Sequence, residues 1–425
     1  MNPSSSEIVA CSCFFGALLH AFNAQKIEVL ALHVRQQKLK SIFHFLGEIE
    51  IVFGLWAILF IFYRVTQFGF IPTLDALQQK SFVEPLFVFV IMVIAATRPI
   101  IEAAQALIYR LSRSSLPLTY AITLSLTPLM GSLITEPAAM TVAALLLKKL
   151  VLDHNENDLI GRQKLLYSTV AVLFVNISIG GTLTSFAAPP VLMIARIWNW
   201  DTAFMFSHFG WKTAIAVTLN SLLCLSMNFK TLTFIANSKG KTNIDSLEKS
   251  PLWIQVVHLL FLALVIFSSH RPLLLIGSFT LFFWFTKLTA FAQFQLKIKE
   301  ALFVGIFLSG LVVLTAEQNW WLKPILTSLT DFSLYLAAGC LTAITDNAAI
   351  TSLAAQVHDL AFSSKLAVLE GAVVGGGLTL IANAPNPAGY AIIRDRFKNG
   401  GIEPLRLLIY ALLPTLIAGA CLWIL

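Results

Sequence analysis

Two carboxylates stand where an apolar chain has least reason to keep them. Ile134-Thr135-Glu136-Pro137-Ala138-Ala139-Met140-Thr141 recurs as Ile344-Thr345-Asp346-Asn347-Ala348-Ala349-Ile350-Thr351. Each copy sets an acid directly after a Thr, among small and apolar residues. A bare carboxylate at the centre of a bilayer costs about 2.5–3.5 kcal/mol on insertion scales. It persists there protonated, paired or holding a cation. Pro137 removes a backbone donor and disfavours helical geometry at Glu136, which would free carbonyl oxygens. Carbonyls, the hydroxyls of Thr135 and Thr345, the Asn347 amide and one carboxylate are hard-oxygen ligands of the kind a small cation such as Na+ requires. A low-dielectric setting disfavours the charged form of a carboxylate, so a proton competes with the metal ion. A site that holds either H+ or a cation is the minimum machinery of an exchanger. The plain alternative is an acid at a membrane surface, or one paired with a base for structure.

A second pair of strings follows the acids in the same order. Gly180-Gly181-Thr182-Leu183-Thr184 precedes Pro189-Pro190, and Gly375-Gly376-Gly377-Leu378-Thr379 precedes Asn383-Ala384-Pro385-Asn386-Pro387. Glycine permits unusual dihedrals and proline forbids a continuous helix. Irregular backbone at membrane depth is tolerated where it lines a cavity or lies buried in protein. Thr184, Thr379, Asn383 and Asn386 can then add side-chain oxygens, although glycine packing between helices explains the small residues equally well. Glu48 and Glu50 open another apolar run; a proton path through them competes with an interfacial position beside Lys38 and Lys40. Arg98 and Glu102 have the i,i+4 spacing of an intrahelical pair. His258 reads as hydrogen-bonded packing and Lys287 as a snorkelling side chain.

These residues need a scaffold of membrane helices. The chain has 425 residues, of which 57% are hydrophobic and only 12% charged, against roughly 25% charged in soluble domains. Residues 114–135, 165–195, 371–393 and 407–425 contain no Asp, Glu, Lys, Arg or His. Runs near 20 apolar residues span the hydrocarbon core as helices. The expected fold is therefore an all-α polytopic membrane protein with about 10–12 spans. The repeated strings, together with Glu84-Pro85-Leu86-Phe87-Val88 and Glu300-Ala301-Leu302-Phe303-Val304, divide it. Residues 1–41 form a short span or interfacial helix with a basic loop. A first repeat covers 42–228, a hydrophilic linker 229–251 and a second repeat 252–425. Residues 82–109 read as one segment. No basic n-region precedes Ile8, so a cleaved signal peptide is not expected.

The net charge of +7 is scattered through short loops, without the basic stripe of a nucleic-acid surface. Lys26, Arg35, Lys38 and Lys40, then Arg110 and Arg113, then Arg394, Arg396, Lys398 and Arg406, together with the linker, are expected in the cytoplasm. The five Cys form no CxxC or Cys/His set and read as reduced packing residues. No Walker loop, GxSxG, HExxH or Rossmann glycine pattern is present. An enzyme, an ATP-driven pump and a cofactor are therefore not expected.

Leu46 to Gly54, Ile134 to Thr141, Ile344 to Thr351 and Gly375 to Pro387 together resemble a bacterial family of sodium/proton antiporters, from about residue 42 to the C-terminus. That family resembles a branch of the ion-transporter superfamily, alongside arsenite-efflux and sodium/dicarboxylate carriers. The resemblance implies two inverted repeats, each with a re-entrant hairpin and a broken helix meeting at the midplane. It also implies a multi-pass position in the cytoplasmic membrane, Na+ and H+ as partners, and dimers. The chain lacks the Ser-Asn-Thr motifs of the dicarboxylate carriers and has acids at the comparable places, which favours a cation. Na+-coupled uptake of a small anion is the competing transport reading. A non-transporting receptor or assembly subunit is the alternative outside transport.

Overall fold

The computed structural model describes residues 3–34, 36–113, 115–153, 159–238, 250–269, 271–397 and 401–425. Among them the chain is helical throughout, with no strand. An N-terminal group comprises α1 (Ser5–His33), α2 (Gln37–Gly47), α3 (Val52–Phe68) and α4 (Phe70–Gln78). Next come α5 (Val83–Ala95), α6 (Arg98–Ser112), α7 (Leu116–Ile134), α8 (Glu136–Leu147), α9 (Leu159–Gly180), α10 (Pro189–Ala195), the short α11 (Thr202–Met205) and α12 (Trp211–Ser238). Then α13 (Leu252–Phe267) and α14 (Pro272–Leu288) precede α15 (Ile298–Thr315), α16 (Asn319–Ser328), α17 (Asp331–Ile344), α18 (Asn347–Ala355), α19 (Phe362–Gly375), α20 (Pro385–Ile393) and α21 (Pro404–Ile424). The series α5 to α10 and α15 to α20 share one order. Each has a helical hairpin with an acid at its tip, followed by a helix interrupted before a proline.

Six of these helices are long and apolar enough to cross a membrane, or up to eight if each of two bent pairs forms one span. The sequence had suggested 10–12. The difference lies in α13, α14 and α17, which are apolar but only 16, 17 and 14 residues long, while other apolar runs fold as half-length helices, as expected. α8 has 12 residues, α18 and α20 have 9 each, and α10 has 7. At 1.5 Å per residue none reaches across a core of about 30 Å. Hydropathy gives the length of a run but not where the chain turns inside it. The segment 82–109 also divides: Ala96 and Thr97 leave the helix and Arg98-Pro99 starts α6. The Arg98–Glu102 pair forms as expected, at 2.7 Å. His258 is buried, bonded to the Ile254 carbonyl and to Gln293, and Lys287 lies over the Phe283 ring. α12 carries the helix to Ser238, ten residues into the expected linker; Lys239 to Lys249 lie outside the described residues, as do Arg35 and Lys398.

The half-helices pack crosswise between the two series: α8 lies against α20, and α10 against α18. One end of the bundle is fixed by Lys148, whose Nζ donates to Asp395 at 2.9 Å and to the Ile392 carbonyl at 2.8 Å. That hydrogen bond holds the Asp395 carboxyl below the usual carboxylate range. Arg396–Asp153 and Arg406–Gln163 join the same layer. From Lys148, α8 runs inward to Glu136, a rise of about 18 Å. The other end carries Ser364–Asp331, Lys323–Asp359, Arg196–Glu84 and Lys365 over Trp198. The hairpin α7–α8 is thus tied down at the Lys148 end, and α17–α18 at the Asp331 end.

An ion pair, buried at Glu370 and half-buried at Lys212, joins α12 to α19 of the second series. Lys212 in the first turn of α12 faces Glu370 on α19 at 3.4 Å and donates to the Leu422 carbonyl of α21 at 2.9 Å. Glu370 is only 5% exposed. Removing one member of such a pair strands the other charge, at a cost of about 3–5 kcal/mol. Lys212→Met should therefore lower the unfolding temperature in detergent markedly. The double variant Lys212→Met/Glu370→Gln should recover part of that loss in the same measurement.

Candidate functional site

The two acids sit at the two hairpin tips because each tip is too short for anything but a break. α7 ends at Ile134 and α8 begins at Glu136, so Thr135 makes the turn alone. Its backbone is left-handed, φ 72°, a conformation sparsely populated outside glycine that surrounding structure must enforce. Pro137 in the first turn of α8 forgoes a donor that has no intrahelical partner anyway. At the second tip Thr345 and Asp346 separate α17 from α18. Asp346 caps α18, accepting from the backbone N–H of Ala348 at 2.7 Å and of Ala349 at 3.4 Å. Ala384, from the second helix break, borders the same cavity as Asp346.

Residues 382–384 lie between the tips. The Asn347 N–H donates to the Ala382 carbonyl at 3.1 Å. The Asn383 Nδ2 donates to Glu136 Oε2 at 2.9 Å, joining the two halves of the chain. Asn383 also borders the same cavity as Asp346, so it stands between the two acids. Glu136, Asn347, Asn383 and Asn386 are fully buried and Asp346 is 7% exposed. Several oxygens here have no hydrogen-bond partner among the described residues: Thr135 Oγ1, Glu136 Oε1, Asn347 Oδ1, Asn383 Oδ1 and Asn386 Oδ1. The amide nitrogens are engaged instead. Asn347 Nδ2 reaches Ser178 Oγ at 3.3 Å, and Asn386 Nδ2 bonds to the Gly376 and Thr379 carbonyls. Buried oxygens without donors are costly as they stand, and they suit a cation or a proton.

Both breaks are irregular, as the Gly and Pro strings predict. Residues 181–183 make one tight 3₁₀ turn and the chain stays non-helical to Ala188; residues 376–384 contain no helix. Two of these glycines lie against the site's own side chains. A Cβ on Gly181 would collide with Glu136 Oε1 and come within 2.8 Å of the Ala188 Cβ. A Cβ on Gly376 would collide with Ser178 Oγ and press on Asn347 Nδ2. The Thr184 and Thr379 hydroxyls donate to the Ser132 and Ala343 carbonyls, at 2.6 and 2.7 Å. They tie each break to its own hairpin. Thr345 donates to the Leu341 carbonyl and borders a narrow cavity with Asp346, Asn383 and Glu50. Glu48 is apart from it, 3.9 Å from Lys299 at the surface. A wider cavity reaches the first break from the other end, along Ser185, Phe186, Arg196 and Asp201.

Sequence reading missed the polar groups that brace this centre. Ser178 donates to the Val373 carbonyl at 2.6 Å across the two halves. Ser132 donates to the Gly180 carbonyl and accepts from the Leu183 N–H. Asn176 and Asn220 bond to each other and to neighbouring carbonyls. Asn176 and Ser178 were legible as polar residues inside the uncharged run 165–195. Glu370 was legible as the acid just before the uncharged run 371–393.

No curated protein matches this sequence. The family model described as "Putative Na+/H+ antiporter" matches residues 5–425. Essentially the whole chain, including both hairpin tips and both breaks, falls within that match. This multi-pass helical membrane protein belongs to the putative Na+/H+ antiporter family.

Proposed function

We propose that the protein is a secondary active transporter exchanging Na+, or another monovalent cation, for H+ across the cytoplasmic membrane, with Glu136 and Asp346 as the shared carriers. The observation that carries this reading is the meeting of both acids with the partnerless oxygens of Thr135, Asn347 and Asn383, while the neighbouring amide nitrogens are already bonded. A cation takes those oxygens; a proton takes a carboxylate and removes the charge that holds the cation. Family membership gives independent support for the same chemistry. Symport of a small anion is disfavoured, because an anion would face two carboxylates.

The halves are proposed to be inverted repeats. In support, α7–α8 is anchored at the Lys148 end and α17–α18 at the Asp331 end, and the half-helices cross as α8 with α20 and α10 with α18. Alternating exposure of one central site to two faces follows from such a plan. The end bearing Arg394, Arg396 and Arg406 is assigned to the cytoplasm by the positive-inside rule.

The test is reconstitution into liposomes carrying a lumenal pH dye. Na+ added outside should drive proton movement. Asp346→Asn should abolish it while the protein stays folded, because Asn also serves as a helix N-cap. Glu136→Gln should impair it as well. Normal Na+-driven flux in Asp346→Asn would refute the shared-carboxylate mechanism. Competition also fixes the sign of the pH effect: as pH falls, protons occupy the carboxylates, so half-maximal flux should need more Na+.

The break geometry yields a second expectation. Gly181→Ala drives a methyl group into Glu136 and Ala188, an overpacking that typically costs about 1–3 kcal/mol. Flux should fall steeply with a smaller loss of thermal stability. A fully active Gly181→Ala protein would show that the Gly181–Glu136 contact has no bearing on transport.

A further inference from the structure

Glu50 lies far from the hairpin tips in sequence, yet it borders the same narrow cavity as Asp346. That cavity is walled by Phe53 of α3, Phe307 of α15, Thr345, Asp346 and Asn383, with Glu50 at the bend between α2 and α3. The bend is sharp: α2 and α3 meet at 96°. The cavity therefore separates the N-terminal helices and α15 on one side from the second hairpin tip and the second break on the other.

Depth follows from the pairings of α3 and α15. At its far end α3 carries Arg64, bonded to Ser6 and to Glu317 at 3.2 Å. Glu317 lies just before α16, whose Lys323 pairs with Asp359. Glu50 is about 21 Å of helix away from that layer. Beside it the surface pair Glu48–Lys299 marks the start of α15. His20 of α1, held between the Leu46 carbonyl at 2.8 Å and the Trp56 indole at 3.3 Å, flanks the same bend. Glu50 thus stands just inside the end opposite Glu317, and the cavity leads from it inward to Asp346. The fully buried Asn383, with Oδ1 partnerless among the described residues, also borders the cavity.

We infer that Glu50 is the proton-relay residue between the Glu48–Lys299 surface and the Asp346 site. This rests on the exchange reading above and adds the route by which one of its two substrates arrives. The step is a simple transfer. The Glu50 carboxyl releases its proton into the cavity, where the Asp346 carboxylate takes it up; Glu50 becomes a carboxylate, and a solvent proton from the Glu48–Lys299 side restores it. In the return direction the same atoms exchange roles. Na+ need not pass through Glu50.

The test uses the full chain in liposomes with the pH-dye assay, comparing Glu50→Gln, Glu50→Asp and Asp346→Asn. Glu50→Gln should slow Na+-driven proton flux by about 100-fold, the low end of what a positioned proton-transfer group contributes. The Na+ concentration for half-maximal flux should stay within about twofold, since a transfer step and not cation binding is impaired. Glu50→Asp should restore most of the rate. Wild-type rate in Glu50→Gln overturns the relay. So does a loss that Glu50→Asp does not restore and that a lowered unfolding temperature accompanies, which would make Glu50 a packing residue. If Asp346→Asn abolishes flux while Glu50→Gln is normal, only the relay fails. If the wild-type protein shows no proton flux driven by Na+, Li+ or K+, the exchange reading fails and the relay with it.

Discussion

The hydrogen bond from Asn383 to Glu136 joins the two halves at the level where both are broken. Everything around it answers one constraint: polar groups far from water must find partners in the protein. Helix ends leave backbone donors and acceptors unpaired. Two hairpin tips and two interrupted helices bring many such ends to one level. Ser132, Ser178, Thr184 and Thr379 pair with the loose carbonyls. What remains without a partner among the described residues of this centre is a set of side-chain oxygens, one of them on Glu136. The scaffold consumes the donors and leaves the acceptors.

The two tips solve the same problem differently. Asp346 is short enough to cap its own helix, and Asn347 can donate its N–H to the second break. Pro137 has no N–H to give. The first tip is instead secured by Ser132, which holds the first break on both sides through Gly180 and Leu183. Glu136, one methylene longer, reaches across to Asn383. The sites are related by repetition but not chemically equal. Asp346 borders a cavity, whereas Glu136 is sealed from solvent.

Much of this was legible in the sequence. An acid beside Pro or Asn in a small, apolar run has few explanations, and its recurrence at Asp346 removed most of them. Proline after paired glycines marked both breaks. The direction of the half-helices was not legible, because hydropathy reports burial and carries no sense of where a chain turns back. The pairing of Lys212 with Glu370 was out of reach for another reason: they lie 158 positions apart, and neither repeats. The hydroxyls of Thr184 and Thr379 each donate to a carbonyl of their own hairpin, partners that the sequence does not reveal. A threonine's type states what it can bond, and only the packing states what it does bond.

The depth of Glu136 has an electrical consequence. If the Lys148 layer marks one edge of a hydrocarbon core of about 30 Å, the run of about 18 Å of helix from there to Glu136 sets this acid near the middle of the transmembrane field. A cation travelling from either face to that carboxylate crosses about half the potential, roughly 1 kcal/mol per 100 mV. One Na+ replaced by one H+ on the same carboxylate returns that energy in full. A membrane voltage then leaves one-for-one exchange unbiased and drives any unequal count, so current under voltage clamp reads the stoichiometry directly.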